Sequence, residues 1–237
     1  MSNSITTLLN KCHNFVQQRF AQACFLCAAR SQAGLLCPGC HADLARLSVE
    51  RCPVCAQPTP AGAVCGACLK RPPAFDRTVA VYRYAFPASV LVQQLKYGGQ
   101  LALAPWLADQ LAAELAGADR PDCIIPMPLH KNRLKERGFN QAALIAKRLA
   151  DRLAVPLALH ACGRVRDTRP QVEMPFAARH GNMRNAFVCD LDLTGQRVAL
   201  VDDVMTSGAS LDELAKEVKR AGASEVSAWV IARTVRT

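Results

Sequence analysis

The sequence predicts an α/β domain, a mainly parallel sheet with flanking helices, preceded by a small cysteine-rich head. Two observations predict it. Eight of the 12 cysteines form four C-x-x-C pairs between Cys24 and Cys68. From residue 78 onward, short apolar β-branched runs alternate with segments of helical periodicity, as in strands joined by helical crossovers. With 237 residues, 51% of them hydrophobic, the chain can bury a proper core and is neither disordered nor fibrous in composition.

The head is a duplication. Cys24, Cys27, Cys37 and Cys40 read C-x2-C-x9-C-x2-C, and Cys52, Cys55, Cys65 and Cys68 repeat that spacing 28 residues on. Two residues between cysteines let both thiolates of a knuckle face one ion, and four soft ligands with no open position describe structural Zn²⁺ in a zinc-ribbon-like head. One or two ions are expected. Sequential sites follow the repeat, interleaved pairing of Cys24/Cys27 with Cys52/Cys55 has the same spacings, and His41 beside Cys40 is a further donor. Disulfides fit poorly, since C-x-x-C closes a strained loop. Cys12, Cys123, Cys162 and Cys189 lie outside the pattern and read as buried thiols. A head of this size needs its metal to fold.

Ahead of it, Ile5, Leu8, Leu9, Cys12, Phe15, Val16 and Phe20 share one helical stripe, so residues 1–23 read as an amphipathic docking helix. The organisation predicted is therefore 1–23 helix, 24–72 head and 73–237 α/β domain. No apolar stretch approaches the roughly 18 to 20 residues that span a bilayer, and no secretory h-region opens the chain, which points to a cytoplasmic protein.

Within the body, a strand is expected over 78–85, helices over 88–96 and 101–116, and a strand over 123–125 stopped by Pro126 and Pro128. A helix over 141–153, a short strand over 155–159, and a long polar stretch over 164–185 follow. A strand over 198–201, a helix over 211–221 stopped by Gly222, and a strand over 226–232 complete the body. Ligands bind beyond the carboxyl ends of such parallel strands, which selects the loops after Ile125 and Val201.

The second of these is the most specific signal. After Val198-Ala199-Leu200-Val201 come Asp202 and Asp203, then Thr206, Ser207, Gly208, Ala209 and Ser210. Ser210 and Glu213 have capping-box spacing, so a helix is expected to start at Ser210 with its free N–H groups and positive end toward 206–209. That is an anion cradle, and it is no Walker loop. Two adjacent carboxylates before it can accept hydrogen bonds from neighbouring hydroxyls, so a ribose 5-phosphate offers both partners.

Residues 198–210 resemble the 5-phosphoribosyl-1-pyrophosphate (PRPP) signature of type I phosphoribosyltransferases. More narrowly, the chain resembles the ComF family, phosphoribosyltransferase-like proteins associated with DNA uptake and with DNA as nutrient. Three further stretches carry the match: the head ending Cys65-Gly-Ala-Cys68-Leu-Lys-Arg-Pro-Pro-Ala-Phe-Asp76; Pro126-Met-Pro-Leu-His130 with Arg133-Leu-Lys-Glu-Arg-Gly-Phe-Asn-Gln141; and Arg164-Val-Arg-Asp-Thr168-Arg-Pro-Gln171 continuing to Arg179, Asn182 and Ala186-Phe187.

The resemblance implies a type I phosphoribosyltransferase-like fold that binds Mg²⁺ with PRPP. It makes Pro126, Met127, Pro128, His130 and Lys131 part of a pyrophosphate loop, with Arg133 and Arg137 the favoured phosphate forks. It makes 164–185 a closing loop whose Arg164, Arg166, Thr168, Gln171, Arg179 and Asn182 face ligand or nucleic acid. Lys96 is placed to reach the same cleft. Single-stranded DNA and other DNA-uptake proteins are the implied partners.

Charge is distributed accordingly. The chain has 29 basic and 19 acidic residues, and 120–186 holds 13 of the former against 5 of the latter. That excess suits pyrophosphate as well as a polyanion. No acceptor-base pocket is legible, so an accessory protein with an unassigned transferase activity, a salvage nucleobase phosphoribosyltransferase and a non-catalytic zinc-ribbon nucleic-acid binder all fit the residues. The first fits best, given the head and the intact Asp202-Asp203 loop.

Overall fold

A computed structural model describes residues 22–31, 34–166, 183 and 185–235, and the chain divides into two compact units, Met1–Leu44 and Ala45–Thr237. The expected N-terminal helix falls almost wholly outside the described residues, as do Thr168, Gln171, Arg179 and Asn182. In the first unit, β1 (Gln22–Ala23) pairs antiparallel with β2 (Arg30–Ser31), and the short α1 (Pro38–Ala42) follows.

The second unit carries the second cysteine cluster, with α2 (Gly66–Lys70), on a four-stranded sheet. Its strands are β3 (Arg77–Arg83), β4 (Cys123–Pro126), β7 (Arg197–Met205) and β8 (Glu225–Arg233), in spatial order β3-β8-β7-β4 and all parallel. β8 is flanked on both sides, which is why eight of its nine residues are buried and it reads as a nearly continuous apolar run. Outside β3 the backbone of 45–47 adds a further pairing, Leu47 N–H to Val81 O at 3.0 Å and Arg83 N–H to Ala45 O at 2.8 Å, so that edge is covered.

Between β3 and β4 run α3 (Ala88–Tyr97) and α4 (Leu103–Glu114). α5 (Lys131–Arg137) and α6 (Gln141–Leu153) follow β4, and α7 (Ala209–Arg220) joins β7 to β8. α6 buries Ala142, Ile145, Ala146 and Leu149 at i, i+3, i+4 and i+7, starts on the Asn140 side chain, and ends where Ala154 turns left-handed. α7 buries Leu211, Leu214, Ala215 and Val218 in the same spacing. β5 (Cys162–Arg164) and β6 (Phe187–Cys189) form a separate small antiparallel pair.

Several elements differ from the reading of the sequence. The loop after Ile125 contains helix α5: Lys-Asn-Arg-Leu-Lys-Glu-Arg are mostly good helix formers, His130 Nδ1 accepts the Asn132 N–H, and Gly138 at φ 80° ends it. Residues 155–159 make only one bridge, Ile124 to Leu157, because Pro156 has no N–H to extend the ladder. β7 runs four residues beyond Val201, since pairs such as Asp202 with Val230 and Met205 with Arg233 continue the ladder through residues of poor strand preference. α7 begins at Ala209, with Gly208 as its cap at φ 84° and no side-chain capping bond there. Ser210 is therefore not the helix cap, and Glu213 instead accepts the Asn185 N–H at 2.6 Å and pairs with Lys216 at 3.0 Å.

Candidate functional site

The two cysteine clusters close sequentially. Cys24, Cys27, Cys37 and Cys40 place one sulfur each within 4.8 Å of the others, and Cys52, Cys55, Cys65 and Cys68 do the same. Cys27 and Cys37 sulfurs are 3.7 Å apart, Cys55 and Cys65 3.6 Å. A disulfide is about 2.05 Å long, whereas four thiolates about 2.3 Å from one ion stand about 3.8 Å apart, so the donor sets fit tetrahedral Zn²⁺. The interleaved pairing is ruled out and His41 is in neither set.

The duplication extends to the backbone. Ala28 and Ala56, one residue past each first knuckle, are both left-handed, with φ 60° and 57°. Their N–H groups return to the carbonyls of Cys24 and Cys52 at 2.8 and 2.9 Å. Backbone N–H groups aimed at sulfur, from Cys37 foremost, lower the Cys24 thiol to about 6. Outside the clusters, Cys123 and Cys162 are buried as expected, whereas Cys189 is only partly so.

Strand alternation separates the two adjacent carboxylates. Asp202 is half-buried and lines a small cleft with Thr206, Gly208, Ser210 and Leu211. Asp203 is 1% exposed and turns the other way, where the Lys96 ammonium on α3 meets it at 2.6 Å. Burial alone would raise the Asp203 carboxyl, but Lys96 and hydrogen bonds from its surroundings, Gln141 included, bring it below the ordinary aspartate range. For Lys96, burial pulls downward and is outweighed by the Asp203 and Asp202 charges, so the ammonium is held more firmly. Asp202 is pushed well above the usual carboxylate range by burial and by Asp203, with Lys96 opposing.

The Thr-Ser-Gly-Ala loop leaves β7 at Met205. Gly208 supplies the left-handed turn, and Ser207 Oγ accepts the Ala209 N–H at 3.3 Å, so the hydroxyl helps shape the start of α7. On the neighbouring strand, Met127 N–H donates to Val201 O at 2.8 Å, and Asn140 Nδ2 holds the Met127 carbonyl at 3.0 Å. The loop after β4 is thereby anchored beside Asp202-Asp203. His130 is buried as the cap of α5, Lys131 is exposed, and Pro126 and Met127 are packed in the sheet end.

Arg133 and Arg137 occupy one face of α5 at i, i+4 and line a cleft of 250 Å³ with Lys96, Tyr97, Gly99 and Phe139. Arg137 stacks over the Tyr97 ring at 5.2 Å and donates to Gln141 Oε1. Lys96, Asp203, Gln141 and Arg137 thus form one chain of polar contacts between the two loops. In the sequence Gln141 reads as the start of a helix and as the end of the 133–141 stretch that carries the family resemblance, with no contact assigned to it. Its role needs α6 to be packed beside β7, which no local pattern encodes. Arg164 stands at the base of the β5–β6 pair with its guanidinium 5.7 Å over Phe187, and Arg166 is exposed.

Comparison with known proteins decides the family. The chain is 35% identical to Competence protein F of Haemophilus influenzae over 70% of its own length and 76% of that protein. It is 36% identical to DNA utilization protein YhgH of Escherichia coli K12, over 71% and 77%. The chain belongs to the ComF family. Within this ComF protein, residues 15–69 match a double zinc ribbon domain and 140–236 a phosphoribosyl transferase domain. Among solved structures, a purine phosphoribosyltransferase from Pyrococcus horikoshii is 23% identical, covering 54% of the ComF chain and 81% of its own, with a TM-score of 0.37. Adenine phosphoribosyltransferase from Thermoanaerobacter pseudethanolicus is 16% identical, covering 57% and 82%, with a TM-score of 0.36. Those superpositions are too loose to add to the strand order and the matched domains. No helix among the described residues is long and apolar enough to cross a membrane.

Proposed function

We propose that this ComF protein binds Mg²⁺-PRPP at the end of β7 and single-stranded DNA on its basic surface, serving the uptake or use of DNA. The observation that carries the ligand is the shared cleft of Asp202 with Thr206, Gly208 and Ser210 at the N-terminus of α7. Loop N–H groups and the helix end suit a phosphate monoester, and Asp202 suits a ribose hydroxyl. Arg133 and Arg137, across Lys96, suit the pyrophosphate and its Mg²⁺, which would neutralise charge on the departing group. His130 and Lys131 add nearby donors, and Thr168, Gln171, Arg179 and Asn182 are assigned to the closing segment on the strength of the family resemblance. The DNA role is supported by the names of its relatives, competence and DNA utilization, and by the basic excess of 120–186.

Calorimetric titration tests the ligand. Wild type should bind Mg²⁺-PRPP, and Asp202→Asn should bind it more weakly, with loss of a hydrogen bond of about 0.5–1.5 kcal/mol. Absence of binding by wild type would sink the reading. For DNA, affinity for a single strand should fall steeply with salt, in proportion to the phosphates neutralised. A screen of bases for pyrophosphate release would assign any acceptor.

A further inference from the structure

Arg233, the last residue of β8, is 2% exposed yet carries a guanidinium. A buried charge is costly unless its donors are satisfied, and here backbone carbonyls take those on Nε and Nη1. Nε donates to the carbonyl of Cys55 at 2.8 Å, and Nη1 donates to the carbonyls of Met205 at 2.9 Å, Thr234 at 3.1 Å and Thr206. One side chain therefore grips the backbone of a metal ligand and the first residues of the phosphate loop. Because C=O and N–H point oppositely across a trans peptide, holding the Met205 and Thr206 carbonyls turns the Thr206 and Ser207 N–H groups away from Arg233.

Three other contacts join the same two regions. The Ala74 N–H donates to Asp212 Oδ1 in the first turn of α7 at 2.7 Å, and Gln57 Nε2 to the Thr234 carbonyl at 2.8 Å. The Phe75 ring lies 3.8 Å from where a Cβ on Gly208 would stand. Four thiolates on one Zn²⁺ also leave an excess of negative charge beside the buried cation.

We propose that Arg233 is the positioning residue of the phosphate loop, and that through it the loop's geometry depends on metal in the second four-cysteine cluster. For its ligand this rests on the Mg²⁺-PRPP reading, whereas the loop's dependence on metal stands apart from any ligand. When the Cys55 backbone loses its metal restraint, Arg233 loses its anchor and the loop N–H groups lose their common direction. Linkage requires the converse: an anion held by the loop tightens metal binding at the second cluster by the same factor and leaves the first alone.

Two measurements on the full chain test this. Amide hydrogen exchange is read over 204–210, with 197–201 in the sheet as reference. Cys65→Ser in the second cluster and Arg233→Lys should each speed exchange of 204–210 by about tenfold with the reference still protected, whereas Cys37→Ser in the first cluster should not. Unchanged exchange in Cys65→Ser overturns the proposal whether or not PRPP binds. If Arg233→Lys exposes the reference strand too, Arg233→Met, which leaves no buried charge, replaces it, and an unaltered loop there also overturns the proposal. In the second measurement a chromogenic chelator competes for zinc with and without ribose 5-phosphate. One of the two equivalents should need about tenfold more chelator in the presence of the sugar phosphate, an effect that Arg233→Lys removes. Loop exchange that follows the metal without any ribose 5-phosphate effect would uphold the positioning role and count against the phosphoribosyl site. An equal effect on both zinc equivalents would overturn the coupling.

Discussion

The Lys96 ammonium lies 2.6 Å from the carboxylate of Asp203, and that carboxylate is almost wholly buried. The pair joins α3 to β7 directly behind the half-buried Asp202, so the acidic pair has two distinct jobs. Asp203 is neutralised within the fold, and Asp202 is presented to the cleft.

Replacing Lys96 with methionine should cost about 3–5 kcal/mol, because it strands a buried carboxylate. The pH dependence should also change sign. In the native protein the Asp203 carboxyl sits below 3.8, so its contribution is present above that pH and is lost as pH falls through the lowered value. In Lys96→Met burial loses its main opponent and outweighs the remaining hydrogen bonds, the carboxyl rises, and stability should decline as pH rises through the new value. Urea midpoints measured from pH 5 to 8 check this. A variant as stable as wild type across that range would show the pair to be dispensable.

Gly208 sits at φ 84°, and a Cβ there would meet only ordinary contact with Phe75. The cost of Gly208→Ala is therefore backbone strain, about 1–2 kcal/mol. Thermal unfolding should show a modest loss, and ribose 5-phosphate binding a larger one, as the loop shifts away from left-handed geometry.

Arg137 should matter for the pyrophosphate and not for the sugar phosphate. Arg137→Ala is expected to weaken Mg²⁺-PRPP by roughly ten- to a hundredfold, the loss of a charge-assisted bond of about 1.5–3 kcal/mol. Ribose 5-phosphate affinity should stay within about twofold of wild type. Parallel titrations with both ligands give the comparison, and equal losses would place Arg137 elsewhere in the site or in the fold.

The two clusters should differ in what they support. Elemental analysis should find two zinc ions, one per set of four thiols. Cys37→Ser is expected to leave the unfolding of the sheet unit unchanged. Cys65→Ser should lower its midpoint while leaving the sheet folded at room temperature, because the second cluster belongs to the same compact unit as the sheet. Structural zinc supplies roughly 10–16 kcal/mol in zinc-finger peptides, so a silent Cys65→Ser would be a clear contradiction.

Much of this protein was legible because its signals are local. The 28-residue repeat of C-x-x-C pairs returns as paired left-handed alanines and paired short helices. The periodicity of 141–153 returns as α6 with the same ends. Misreadings arose where one residue type serves two purposes. The cations of 131–137 looked like a loop but are also helix formers. Ser210 and Glu213 had capping spacing, yet a left-handed glycine two residues earlier had already started the helix.

The sequence alone determined the metal ligands, the alternation of strands and helices, and the acidic pair followed by a small-residue loop, because each depends on spacing within a few residues. Only the tertiary structure decided that thiols close sequentially, that Asp203 faces Lys96 while Asp202 faces the cleft, and that Arg233 spans from Cys55 to Met205. Those partners are separated by up to 178 positions along the chain. The parallel order β3-β8-β7-β4 brings them together, and burial on both faces of the central strands sets which side chain points to which partner.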